Sequence, residues 1–318
     1  MACGMLEYLS VRWFAPLAVL VVVGCGRSAP AASEPPTDTF EPTAFTVAVH
    51  GHGRPILLIP GLGCPGAVWD ATVAHLDGYE AHVLTLAGFA GVPRIDGSLA
   101  AEARAQIAHY IRAHDLHAPV IVGHSLGGFL AYWLAASEPG LVGPTIVVES
   151  GAALGDGDPD ANAATAAQIR DMWTGASDEQ FIQQVHDIFG SMAAHPERLA
   201  PFLDAIGRSD RAAIGDAIYE QYTTDLRPEL PLITTRVLLV LADGSLADGL
   251  RKQAESVPRH EVVQLPNAKH FVMLDDPEAF YRAIDGFLAD PSRAGRAGGA
   301  RLDRARARFR APAPPPAG

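Results

Sequence analysis

The sequence predicts an α/β protein: a mostly parallel sheet covered on both faces by helices, with a helical insertion over the edge of the sheet. Three observations carry this. Short apolar, β-branched runs recur along the chain and are nearly continuous rather than alternating, as strands buried on both faces require. Amphipathic stretches with helical spacing lie between several of them, and strand–helix–strand repetition favours a parallel sheet. Between Glu149 and Val237 the rhythm breaks and the pattern is helical throughout.

The runs are Phe45–His50, Pro55–Pro60, His82–Leu86, Pro119–Gly123, Thr145–Glu149, Val237–Ala242 and Glu261–Leu265. Leu99–His114 places Ala103, Ile107, Tyr110 and Ile111 on one helical face behind the N-cap candidate Ser98. Leu126–Ser137 is a second helix. Within the insertion the helical stretches are Ala163–Thr174, Asp178–Met192, Pro196–Ile206 and Arg211–Tyr222, and Ser177 with Gln180 forms a capping box. Met172, Trp173, Phe181, Ile182, Phe189 and Phe202 give these helices apolar faces; most of them pack, and a minority line a pocket. The domain boundaries expected are 45–151 and 236–290 for the core and 152–235 for the lid. No internal repeat is apparent.

The two ends read differently from the body. Trp13–Val23 is an apolar run of eleven residues behind Arg12. A membrane-crossing helix needs about 20 residues, whereas this length suits the apolar part of a secretion signal. The run ends in Val22-Val23-Gly24-Cys25, which resembles the bacterial lipobox. The resemblance implies removal of residues 1–24 and lipidation of Cys25, so that a membrane is a partner and the protein is exported to the cell envelope. Residues 25–44 read as a Pro-, Ser- and Ala-rich tether. The tail 291–318 carries seven Arg against one Asp and ends in a proline-rich stretch; it reads as a solvated low-complexity segment.

Composition excludes some functions. The formal net charge of −12 disfavours a nucleic-acid partner, because phosphate binding rests on concentrated Lys and Arg. The three cysteines, Cys3, Cys25 and Cys64, form no CxxC pair and suggest neither a disulfide framework nor a metal cluster. His50 and His52 flank Gly51 and read as an exposed turn rather than as metal ligands.

The sharpest signal is Val120-Ile121-Val122-Gly123-His124-Ser125-Leu126-Gly127-Gly128, a G-x-S-x-G elbow with a buried strand before it and a helix after it. So tight a turn strains the serine backbone, and the glycines leave room for neighbouring chain. The turn lifts the hydroxyl above the carboxyl end of the sheet, and the helix N-terminus favours developing negative charge there.

On these residues the chain resembles the α/β-hydrolase family over roughly Phe45 to Leu288. Ile59-Pro60-Gly61-Leu62-Gly63 looks like its oxyanion loop, with Pro60 where the family usually has His. Val68-Trp69-Asp70 then opens a helix. The resemblance implies Ser125 as nucleophile, the N–H groups of Leu62 and Leu126 as oxyanion donors, and a base after the last strand. His270 occupies that place, followed by Asp276-Pro277 as the cap of a terminal helix. His260 precedes the strand and lies at the wrong end; His124 packs or lines the pocket; the remaining histidines read as surface residues.

The acid stays open in the sequence. The family's usual position after the seventh strand aligns with Ser245. Asp243 and Asp248 are nearby but shifted, and Glu149 ends the strand beside that of the nucleophile. Glu149 ranks first, Asp243 second and Asp248 third. Asp225, Asp275 and Asp276 read as loop or cap residues. The implied reaction is cleavage of an ester, thioester or lactone, a small-molecule acyl substrate, through an acyl-enzyme, and no cofactor is required. Cys64 reads as a small packed thiol beside the oxyanion loop. The alternatives are acyl transfer or C–C hydrolysis on the same triad, or an inactive hydrolase fold serving as a surface binding module.

Overall fold

Seven strands form one sheet: β1 (Phe45–Gly51), β2 (Arg54–Ile59), β3 (Tyr79–Leu86), β4 (Val120–His124), β5 (Thr145–Val148), β6 (Val237–Ala242) and β7 (His260–Leu265). The order across the sheet is β1-β3-β2-β4-β5-β6-β7. β1 is antiparallel to β3, and every other pairing is parallel. This computed structural model describes residues 40–289 apart from residues 156 and 245. The export signal, Cys25, the tether up to residue 39 and the tail from residue 290 lie outside the described residues. Among the described residues no helix is long and apolar enough to cross a membrane.

The burial of each strand follows its composition. β4 and β6, both unbroken apolar runs, are buried at every position. β1 exposes most of its length and β7 is mainly half-buried, as edge strands are. β3 begins at Tyr79, three residues before the apolar run. Those residues pair with the exposed end of β1, His50 opposite Ala81 and Gly51 opposite Glu80, so they need not be apolar. His82 is a correction to the expectation of a surface histidine. It is 3% exposed, and its ring nitrogens meet the Tyr110 hydroxyl at 2.8 Å and Glu80 at 3.0 Å.

Helices cover both faces. A 3₁₀ turn (Gly66–Trp69) leads into α1 (Asp70–His75); α2 (Leu99–Ala113) and α3 (Leu126–Ser137) follow β3 and β4. Ser98 accepts a hydrogen bond from the Ala101 N–H and caps α2. Between β5 and β6 lie α4 (Pro159–Thr174), α5 (Asp178–Ser191), α6 (Pro196–Ile206) and α7 (Arg211–Thr223). α4 starts four residues before the apolar spacing does, because Asp158 accepts from the N–H groups of Asp160 and Ala161 and Pro159 takes the first helical position. The capping box of Ser177 and Gln180 is formed at the head of α5. The chain closes with α8 (Ala247–Ala254), a short turn α9 (Val272–Asp275) and α10 (Pro277–Ala289), which Asp276 caps by accepting from the Ala279 N–H.

Register decides what meets at the carboxyl edge. Ile59 lies opposite Gly123, His124 opposite Val148, and Val148 opposite Val240. The loops that begin at Pro60, Ser125, Glu149 and Asp243 therefore leave the sheet side by side.

Candidate active site

Ser125 sits between β4 and α3 with φ 52° and ψ −117°, a backbone region that a residue with a Cβ rarely occupies. The surrounding packing imposes it. A Cβ on Gly123 would stand 2.0 Å from the Gly127 carbonyl oxygen, and one on Gly127 would stand 2.2 Å from that of Ile59. Only glycine at both positions lets strand, turn and helix approach so closely. The Ser125 N–H donates to Val148 at 2.9 Å, which pins the turn to the next strand.

The loop after β2 touches this turn. A Cβ on Gly61 would fall 3.1 Å from that of Ser125 and 2.9 Å from Nδ1 of His124. Leu62 lines the same cavity as Ser125 and His270. Leu126 opens α3, so its N–H has no partner within the helix and lies at the positive end of the dipole.

His270 follows β7, and its backbone N–H donates to the Met192 carbonyl at 3.0 Å. Its Nδ1 faces Oε2 of Glu149 at 3.4 Å, with the two side chains 24% and 10% exposed. Donation from Nδ1–H to the carboxylate leaves Nε2 with a free lone pair. Glu149, like Ser125, is a left-handed non-glycine residue, at φ 50°. Its N–H donates to Val240 at 2.9 Å, and its Oε1 accepts from the Ala242 N–H at 2.6 Å. The structure thus brings Glu149 and His270 together. It does not bring Asp243 to them: this alternative acid is exposed and accepts from the Gln264 amide. Asp248 is likewise exposed, on α8.

His124 lines the cavity and also ties the site together. Its Nε2 lies 2.8 Å from the His270 carbonyl oxygen. A carbonyl only accepts, so Nε2 carries the hydrogen and Nδ1 the lone pair. Burial holds its pKa well below the ordinary imidazole value, and the neighbouring His270 lowers it further. His124 is therefore a neutral donor at physiological pH.

Asp275 is the residue the sequence did not reveal. Rather than being a surface cap, it is 3% exposed and accepts from three backbone N–H groups, those of Ala194, His195 and Lys269, each at 2.9 Å. It staples the corner between α5 and α6 to the turn that carries His270. Arg198 reinforces the staple by donating to the carbonyls of Leu274 at 2.9 Å and Asp275 at 2.8 Å. No apolar period marks such a carboxylate; a hint lay only in Asp275-Asp276, two adjacent acids where one cap suffices.

Cys64 is buried at the cavity wall, and burial pushes its thiol up to about 12. It is a packed, protonated thiol. Among the described residues no group of three or more His, Cys, Asp or Glu side chains could hold a metal ion.

Residues 56–283 match the model of the Alpha/beta hydrolase family. The pimeloyl-(acyl-carrier protein) methyl ester esterase of Vibrio vulnificus is 24% identical over 259 residues, 74% of this chain and 95% of that protein. The N-formylmaleamate deformylase of Pseudomonas putida is 26% identical over 253 residues, 76% of this chain and 91% of that protein. Among solved structures, the enol-lactonase of Burkholderia xenovorans superposes with TM-score 0.65 at 19% identity, covering 77% of this chain and 96% of that one. At that identity the superposition bears on the fold alone. A family match over most of the chain, and full-length relatives that are hydrolases, lead to one conclusion: the chain belongs to the alpha/beta hydrolase family and is an enzyme of the hydrolase type.

Proposed function

We propose that this protein is a serine hydrolase that cleaves an ester-like bond (an ester, thioester or lactone) through an acyl-enzyme on Ser125. The observation that carries it is a strained serine sharing a cavity with an imidazole whose Nδ1 faces a carboxylate. In this reading Nε2 of His270 takes the Ser125 proton as Oγ attacks the carbonyl carbon. The carbonyl oxygen gains the negative charge and is met by the N–H groups of Leu62 and Leu126. Collapse of the tetrahedral adduct expels the alcohol, thiol or ring oxygen, which receives the proton back from His270. Water, deprotonated by the same imidazole, then releases the acid and restores the serine. Glu149 holds the Nδ1–H tautomer and stabilises the imidazolium; it does not itself take the proton. The relatives that act on a methyl ester and on an N-formyl group support the same class of chemistry.

A fluorophosphonate probe tests this directly. The wild type labels and the label maps to Ser125, whereas Ser125→Ala neither labels nor turns over p-nitrophenyl esters, a loss of about 10⁴–10⁶ in kcat. A wild type that turns over esters while Ser125→Ala keeps full rate refutes the assignment.

The same proposal places the enzyme outside the cytoplasm, held to a membrane by a lipid on Cys25. Val22-Val23-Gly24-Cys25 supports it. Metabolic labelling with palmitate marks the full chain and not Cys25→Ser, and the Cys25→Ser protein leaves the membrane fraction. Equal labelling of both removes the anchor.

A further inference from the structure

We infer that the acyl group this site accepts is uncharged and apolar, of short to medium length, and lies between Ser125 and the inner faces of the inserted helices. The inference rests on the proposed serine chemistry and extends it to the substrate class.

The cavity at Ser125 encloses about 310 Å³, near the lower end of the range for small-molecule sites. At about 30 Å³ per water-sized group it holds about ten heavy atoms, enough for an acyl chain of about four to eight carbons with its ester oxygens, the leaving group lying toward the opening. The sheet side supplies Leu62, Cys64 and Phe271. The opposite wall comes from three inserted helices: Ile169 and Trp173 of α4, Ile188 and Phe189 of α5, and Ile218 of α7.

No Lys, Arg, Asp or Glu side chain is among the lining residues. Apart from the Ser125 hydroxyl and the His270 ring, the polar side-chain nitrogens at the wall belong to His124 and Trp173. The Nδ1 of His124 and the Nε1 of Trp173 are buried and have no hydrogen-bond partner, so neither presents a solvated polar surface to a ligand. The Cys64 thiol is protonated. A carboxylate on the acyl chain would surrender its water here and meet no cation in return. An alkyl chain surrenders only unfavourable hydration. At the rim, Met172 and Met192 are 42% and 38% exposed. Their flexible thioethers adjust to chains of different length, so the cut-off falls gradually rather than at one carbon.

The experiment uses p-nitrophenyl acetate, butyrate, hexanoate, octanoate and palmitate, together with the mono-p-nitrophenyl ester of adipic acid, which has the six carbons of hexanoate with a carboxylate in place of the terminal methyl. Fluorophosphonate labelling runs in parallel. The expected kcat/KM peaks between butyrate and octanoate and is at least about tenfold lower for palmitate, which outgrows the cavity. The adipate ester falls at least about a hundredfold below hexanoate. Met192→Trp and Ile218→Trp each fill the cavity and lower the octanoate-to-butyrate ratio by about fivefold or more. An optimum at palmitate, an adipate ester as good as hexanoate, or labelling without turnover of any neutral ester overturns the substrate class and leaves Ser125 as nucleophile. Absence of both labelling and turnover overturns the serine chemistry itself.

Discussion

The loops after β5 and β6 leave neighbouring strands at the same edge of the sheet, and each opens with a carboxylate, yet the two acids end in different places. Glu149 turns at φ 50° and stays half-buried, with one oxygen on the Ala242 N–H and the other toward His270. Asp243 continues outward into solvent and meets Gln264 of β7. The β6 end therefore contributes its backbone rather than its side chain. Under the proposed chemistry the acid stands one strand nearer Ser125 than Asp243 would, while the base keeps its place after β7. The left-handed turn beside Ser125 presents a carboxylate oxygen to Nδ1 of His270, whereas Asp243, one strand further on, meets Gln264 instead.

The largest expected effect is at Glu149. Glu149→Gln keeps shape but loses the charge that holds the Nδ1–H tautomer, and ester turnover falls by about 10³–10⁴. A loss below tenfold, with Asp243→Asn taking the large one instead, reverses the comparison. Asp275→Asn comes next. An amide presents one acceptor oxygen where the carboxylate offers two to three N–H donors, so about 1–3 kcal/mol of stability goes. For a domain of this size that is a fall of about 2–12 °C in Tm. Because the staple also positions the turn of His270, kcat falls about tenfold in folded protein at low temperature. A lower Tm with unchanged kcat would leave Asp275 a purely structural residue. Asp243→Asn changes kcat/KM by less than about threefold, as an exposed acid off the site should.

The smallest effect concerns the loop after β2. With its thiol pushed up to about 12, Cys64 holds only about one part in 10⁴ as thiolate at pH 8, and the thiolate is the reactive form. Raising the pH toward that value increases reactivity. At pH 8 iodoacetamide leaves Cys64 of the folded enzyme unmodified by intact mass while labelling it readily in urea. Rapid alkylation of the native form would mean that the wall is open to solvent.

How much of this was legible in the sequence varies with the physics involved. The elbow could be read because its glycines are demanded by neighbouring backbone, which a Cβ on Gly123 would meet at 2.0 Å, a constraint that leaves no other residue possible. Glu149 could be named because a residue ending the strand next to the nucleophile must emerge at the same edge, although its left-handed turn could not be foreseen. Asp275 could not: a buried carboxylate stapling two loops and a solvated cap have the same local pattern. Nor could His82, whose burial depends on Tyr110 approaching from α2. The start of α4 could have been found, since Asp158-Pro159 carries the same cap signal as Asp276-Pro277. Which apolar residues of the insertion line the cavity depends on how four helices are rotated against the sheet, and amphipathic spacing does not encode that rotation.

The hydrogen bond from the His270 amide to the Met192 carbonyl ties the turn that carries the imidazole to the inserted helices across the cavity. Asp275 bridges the same two segments, accepting from Ala194 and His195 on one side and Lys269 on the other, so the seat of the imidazole is set partly by the inserted helices and not by the sheet alone.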